Sequence, residues 1–123
     1  MPKPPKTRAG GTWTEARYWQ FVRSGLRLLS RRWPPRAEAL KRARRAYVGP
    51  NPRQKWEYRC AACGRWWMGK EVQVDHLIPC GTIASYGDVG GFVERLLCEV
   101  DGFRVLCLTC HHDKTHNQTS ANL

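Results

Sequence analysis

No stretch of this chain is apolar for long enough to span a bilayer. The opening, Met1-Pro2-Lys3-Pro4-Pro5-Lys6, lacks the apolar centre of a secretion signal. Together these predict a soluble protein of the cytoplasm. Acidic residues are scarce in the first half: residues 1–59 carry three, Glu15, Glu38 and Glu57, against sixteen Lys/Arg. Residues 60–123 carry seven acids against five cations, so the net charge of +11 is contributed entirely by the first half. Charge segregated in this way points to a polyanionic partner, with an anionic membrane surface as its rival. The chain has no internal repeats beyond two short cysteine motifs, and its 123 residues suit one domain, or one small domain with an arm.

What the sequence does have is cysteine at metal-binding spacing. Cys60/Cys63 and Cys107/Cys110 are two C-x-x-C pairs, a pattern that makes a closed tetrahedral site for structural Zn²⁺. Three disulfides among the six cysteines, or four ordinary buried thiols, explain the paired spacing less well. A core of roughly sixty residues needs such a staple, since it buries too little apolar surface to be secure alone. Cys80 and Cys98 are left over as small buried hydrophobes.

The pattern predicts an α+β fold: a small zinc-stapled core preceded by a basic two-helix arm. Residues 1–11, rich in Pro, Lys and Gly, read as a disordered basic tail. Residues 12–54 read as the helical arm, opened by a capping box at Thr12-x-x-Glu15. Tyr18, Val22, Leu26, Leu29 and Trp33 form its apolar stripe, and Arg23, Arg27 and Arg31 a separate solvent-facing line. Pro34-Pro35 ends that helix and starts another, running from Arg36 to about Tyr47. Its inward residues are Ala37, Leu40, Ala43 and Tyr47, with Lys41, Arg42, Arg44 and Arg45 outward. Residues 55–123 form the core: a strand entering the first knuckle at Lys55–Cys60, then strands at Trp66–Met68 and Val72–Val74 turning at Gly69-Lys70. A glycine-rich loop, a short helix at Phe92–Cys98, a strand at Phe103–Leu106 and a final helix from Leu108 follow.

A shared zinc would draw three distant residues together. Asp75 and His76 lie at the end of a strand stopped by Pro79, and His111 follows the last cysteine directly. A carboxylate, a titratable imidazole and a second ligand on a basic chain suit metal-assisted phosphodiester hydrolysis. Lys114 lies three residues after His111 and reads either as a phosphate contact or as an ordinary surface lysine. His112 points about 100° away on a helix and reads as exposed, and His116 reads as exposed or touching phosphate.

Residues 56–117 resemble the HNH endonuclease family, the ββα-metal fold in its four-cysteine form. The matching text is Cys60-Ala61-Ala62-Cys63, Val74-Asp75-His76-Leu77-Ile78-Pro79 and Leu106-Cys107-Leu108-Thr109-Cys110-His111-His112-Asp113-Lys114-Thr115. The N-terminal helices also resemble the start of small phage-encoded members. The resemblance implies a DNA endonuclease in a bacterial host cell, some of whose relatives work beside phage packaging machinery. It assigns Asp75 and His111 to a catalytic divalent metal (Mg²⁺, Mn²⁺, Ni²⁺ or Zn²⁺) and His76 to the general base. The family's middle Asn is missing: that stretch reads Val100-Asp101-Gly102-Phe103-Arg104, leaving Asp101 or another group to support the loop.

For nucleic acid, the expected contacts are Arg23, Arg27, Arg31, Lys41, Arg42, Arg44, Arg45 and Lys114, reading phosphate rather than bases. Trp19, Trp33, Trp56 and Trp66 fit apolar faces, leaving Trp13 or Trp67 for stacking. The alternatives are a zinc-stapled nucleic-acid-binding or phage assembly module without hydrolysis, and an arm that docks on an acidic protein. Oligomeric state is not encoded in any motif here.

Overall fold

A computed structural model describes residues 2–121, with side chains through Lys114. The described residues form a mixed α+β structure of four helices and three small sheets. It divides into two compact units, Met1–Trp33 with Ile78–Leu97, and Pro34–Leu77 with Cys98–Leu123. Each unit is therefore discontinuous in sequence, and neither follows the expected boundary at residue 54. Among the described residues, no helix is long and apolar enough to cross a membrane.

In the first unit, β1 (Lys6–Arg8) pairs antiparallel with β2 (Trp13–Thr14). The expected disordered tail is thus partly a hairpin. Arg8 explains why: its guanidinium pairs with Glu15 at 2.9 Å and lies 4.3 Å over the Tyr18 ring. Helix α1 (Glu15–Ser30) is capped by Thr14, whose side chain accepts from the Arg17 N–H at 3.2 Å. The capping box expected at Thr12 does not form, because Thr12 donates to the Ala9 carbonyl inside the hairpin loop at 2.7 Å. Glu15 is occupied instead by Arg8, Thr7 and the Trp19 indole.

Of the expected α1 stripe, Tyr18, Val22 and Leu26 pack against the core while Leu29 does not. Trp19 and Ser30 are buried, Val22 and Leu26 half-buried, and Leu29 is exposed. Its core partners come from residues 78–97: Cys80 and Ile83, and Phe92 and Leu96 of α3 (Val89–Leu96). Arg23, expected to face solvent, is half-buried and donates to Thr82 Oγ1 at 3.0 Å and the Ile83 carbonyl at 3.1 Å.

In the second unit, α2 (Pro34–Arg42) is shorter than expected and buries Ala39, while Ala37 is exposed. The segment read as its last turn is a strand. β3 (Arg44–Ala46) pairs antiparallel with β4 (Trp56–Arg59), which pairs with β5 (Trp66–Trp67). Pairing to β4 outweighs the helix propensity of an Ala/Arg-rich run, which amounts to a few tenths of a kcal/mol per residue. Arg44 and Arg45 accordingly sit on a strand, their guanidinium groups 4.0 Å over Trp56 and 3.7 Å over Trp66.

The hairpin expected at Gly69-Lys70 is absent, since a 3₁₀ turn at Gly69–Glu71 redirects the chain. β6 (Val72–His76) pairs instead with β7 (Phe103–Cys107), antiparallel across five residues. β7 buries Phe103, Val105, Leu106 and Cys107, so both of its faces are covered. Helix α4 (Leu108–Ala121) follows without a break and packs on both β6 and β7.

Candidate metal centre

Cys60 follows β4 directly, and its N–H donates to the Arg65 carbonyl at 2.9 Å, closing the first knuckle. Gly64 completes that turn at φ +72°, the left-handed region where a side chain is strained. The Ala61 N–H, bonded to the Val105 carbonyl at 2.8 Å, stitches the knuckle to β7. The second knuckle is the β7–α4 junction, where the Cys110 N–H points at Cys107 Sγ at 3.4 Å, as Cys63 N–H does at Cys60 Sγ at 3.5 Å.

All four sulfurs lie within 4.8 Å of one another. Bonds of about 2.3 Å to a tetrahedral zinc would set them about 3.8 Å apart, so small shifts suffice. Burial opposes ionisation of Cys60, yet the N–H groups of Cys63, Cys107 and Ala62 outweigh it and bring the thiol down to about 6. Hydrogen bonding to the Cys107 sulfur, then burial and the other two sulfurs, pushes Cys110 up to about 12. One thiol ionises readily and its neighbour resists because thiolates this close repel. A divalent cation removes that conflict. The four cysteines could therefore hold a structural metal such as zinc.

The same geometry carries α4 against the end of β6. His111 Nε2 lies 3.8 Å from Asp75 Oδ1, so the two residues expected to share a metal are neighbours. Two cations also crowd this carboxylate. Lys114 pairs with Asp75 Oδ2 and donates to the His76 carbonyl at 2.7 Å, and Arg104 Nε lies 3.8 Å from the same Oδ2. Arg104 was not singled out by sequence reasoning; its only signal is the cross-strand register, which sets it opposite Asp75. Lys114 is accounted for as a carboxylate partner.

His76 is opposite Phe103, with ring centroids 4.8 Å apart. Neighbours on a regular strand face opposite ways, and His76 is the last residue of β6, where the strand ends. Asp101 is exposed in a 3₁₀ turn at Val100–Gly102. The backbone bond from the Leu77 N–H to the Gly102 carbonyl, 2.9 Å, ties down the segment after β6.

The expected nucleic-acid contacts are divided between the two units. Arg27 on α1 and Arg31 at its C-cap are exposed, Arg27 lying 5.8 Å from the Phe92 ring, whereas Arg23 is spent on residues 82 and 83. In the second unit Lys41 and Arg42 are exposed on α2, with Arg42 paired to Glu38 at 3.2 Å. Arg45 pairs with Glu57 at 2.6 Å. Of the other histidines, His112 is exposed, and the His116 side chain lies outside the described residues. No protein-family model matches this chain, and no curated protein or solved structure matches it.

Proposed function

We propose that this chain is a metal-dependent endonuclease of the HNH type, hydrolysing phosphodiester bonds of DNA. The observation that carries the reading is the 3.8 Å approach of His111 Nε2 to Asp75 Oδ1 beside a four-sulfur cluster. Asp75 and His111 would be the two protein ligands of the catalytic ion, leaving its other positions to water and phosphate. A divalent cation held by Asp75 and His111 would supply Lewis-acid stabilisation of the charge that develops on phosphorus-bound oxygens.

The remaining work falls to side chains. His76, steadied by the Phe103 ring, accepts a proton from water. The resulting hydroxide attacks phosphorus in line, the P–O3′ bond breaks, and the 3′-oxygen leaves to take up a proton. The products are a 5′-phosphate and a 3′-hydroxyl. Arg104 and Lys114 add positive charge beside the reacting phosphate.

A second reading has its own support: Lys114 already neutralises Asp75, as it would in a zinc-stapled nucleic-acid-binding or phage assembly module that cuts nothing. Plasmid nicking with added Mg²⁺, Mn²⁺ or Ni²⁺ separates the two. We expect wild-type protein to nick and His76→Ala to lose at least about a hundredfold of that rate. Equal weak nicking by both proteins would select the binding module.

A further inference from the structure

The second unit contains a cavity of about 350 Å³ whose wall holds four arginines: Arg42 of α2, Arg44 of β3, Arg59 of β4 and Arg104 of β7. Trp66 and Phe103 supply flat apolar surface, and no acidic residue is part of the lining. The sheet explains the convergence. The Arg59 N–H donates to the Ala43 carbonyl at 2.9 Å, extending the β3–β4 ladder one step beyond the Arg44–Tyr58 pair and setting Arg59 across from Ala43. Register then sets Trp66 opposite Arg59.

Little in the protein balances this charge. Arg44 and Arg59 have no carboxylate at ion-pairing distance among the described residues, and Arg42 has only exposed Glu38. Arg104 Nε is buried with no hydrogen-bond partner among the described residues, its carboxylate neighbour Asp75 remaining at 3.8 Å. Arginine residues gathered around a concavity are stabilised by an oxyanion, and the planar fork of a guanidinium matches phosphate. The volume lies in the range of small-ligand pockets. Arg45, which is not part of the lining, stacks on Trp66 and braces the ring.

We propose that this cavity binds one nucleotide unit, its phosphate on the arginines and its base against Trp66. The assignment deepens the nuclease reading and rests on it for the source of the nucleotide, a DNA strand continuing from the Asp75 site. Occupying the pocket requires no hydrolysis, so binding and cutting can fail separately.

The test uses full-length, zinc-loaded protein without added divalent cation, and fluorescence anisotropy of a labelled single-stranded oligodeoxynucleotide across a salt series. Arg59→Gln and Arg44→Gln are each expected to weaken binding about five- to tenfold and to flatten the salt dependence by about one charge. Arg53→Gln, an exposed arginine outside the lining, should change affinity less than about twofold. Arg59→Lys should restore most of the salt slope but not the full affinity, because a point charge lacks the fork. Competition with thymidine 5′-monophosphate against thymidine identifies the source. Displacement by the monophosphate alone supports a pocket that accepts a free nucleotide, and displacement by neither, with the arginine losses intact, one that needs a strand. Equal losses in Arg53→Gln and Arg59→Gln, or no loss in Arg59→Gln and Arg44→Gln, would overturn the pocket. If the pocket variants lose binding while the wild type cuts nothing with any metal, the nuclease reading falls and the pocket stands. If Arg59→Gln and Arg44→Gln both bind as wild type while His76→Ala abolishes cutting, the reverse holds.

Discussion

Asp75 is the point on which most charge converges, with His111, Arg104 and Lys114 all within ion-pairing reach. Its side chain is 15% exposed and that of Lys114 18%, so the pair is poorly screened. The ammonium competes with any divalent ion for the same carboxylate. Lys114→Met should therefore tighten Mn²⁺ binding by at least about tenfold, read by calorimetry, while costing the metal-free protein about 1–3 kcal/mol of stability. Unchanged Mn²⁺ affinity would mean the lysine is no competitor. At this scale the sequence was informative wherever chemistry is tied to spacing. The approach of His111 to Asp75 followed from two C-x-x-C pairs and one strand. Arg104 and the lining of the arginine cavity were not legible, because they depend on which strands pair and in what register.

Among the elements, the β1–β2 hairpin and α1 are joined through one carboxylate. Hydrogen bonds from Arg8 and Thr7 hold Glu15 below its ordinary value of 4.5. A depressed carboxylate stabilises the fold fully above its unfolded value and loses that contribution as pH falls through the folded one. The Trp19 indole N–H, which donates to Glu15 Oε2 at 3.2 Å, should report this by NMR. Its shift is expected to hold steady down to about pH 4.5 and to move only below it. In Glu15→Gln the indole shift should differ at neutral pH and no longer titrate in the acid range. Local pattern predicted the existence of α1, α2, β6, β7 and α4, since each has strong periodicity or an unambiguous stop. It failed at β3, where an Ala/Arg run is helical by propensity but extended by pairing. It failed again after Trp67, where β6 finds β7 rather than its neighbour in sequence.

For the whole molecule, the expectation of a zinc staple has a thermal consequence. The buried cluster of Cys60, Leu106 and Cys107, with Trp67 and Cys110 against it, is small and depends on four sulfurs. Apparent zinc affinity of about 10 kcal/mol in such sites becomes folding free energy. Stripping the metal with a chelator, or Cys107→Ser, should lower Tm by more than about 10 °C, followed by circular dichroism and zinc content. Retention of Tm by the metal-free protein would show that the sulfurs merely pack. The same scale was the least legible in advance. A boundary at residue 54 follows from composition, yet residues 78–97 complete the core of the N-terminal helix, a pairing of distant segments that no local signal announces.

That interleaving sets an order on biosynthesis. As the chain leaves the ribosome, α1 exposes its apolar side until residues 78–97 have emerged, and Cys60 and Cys63 wait until Cys110 is out. At about 5–20 residues per second, the first thiol pair spends several seconds without its partners, a window in which a holding chaperone or a stray oxidant would reach it.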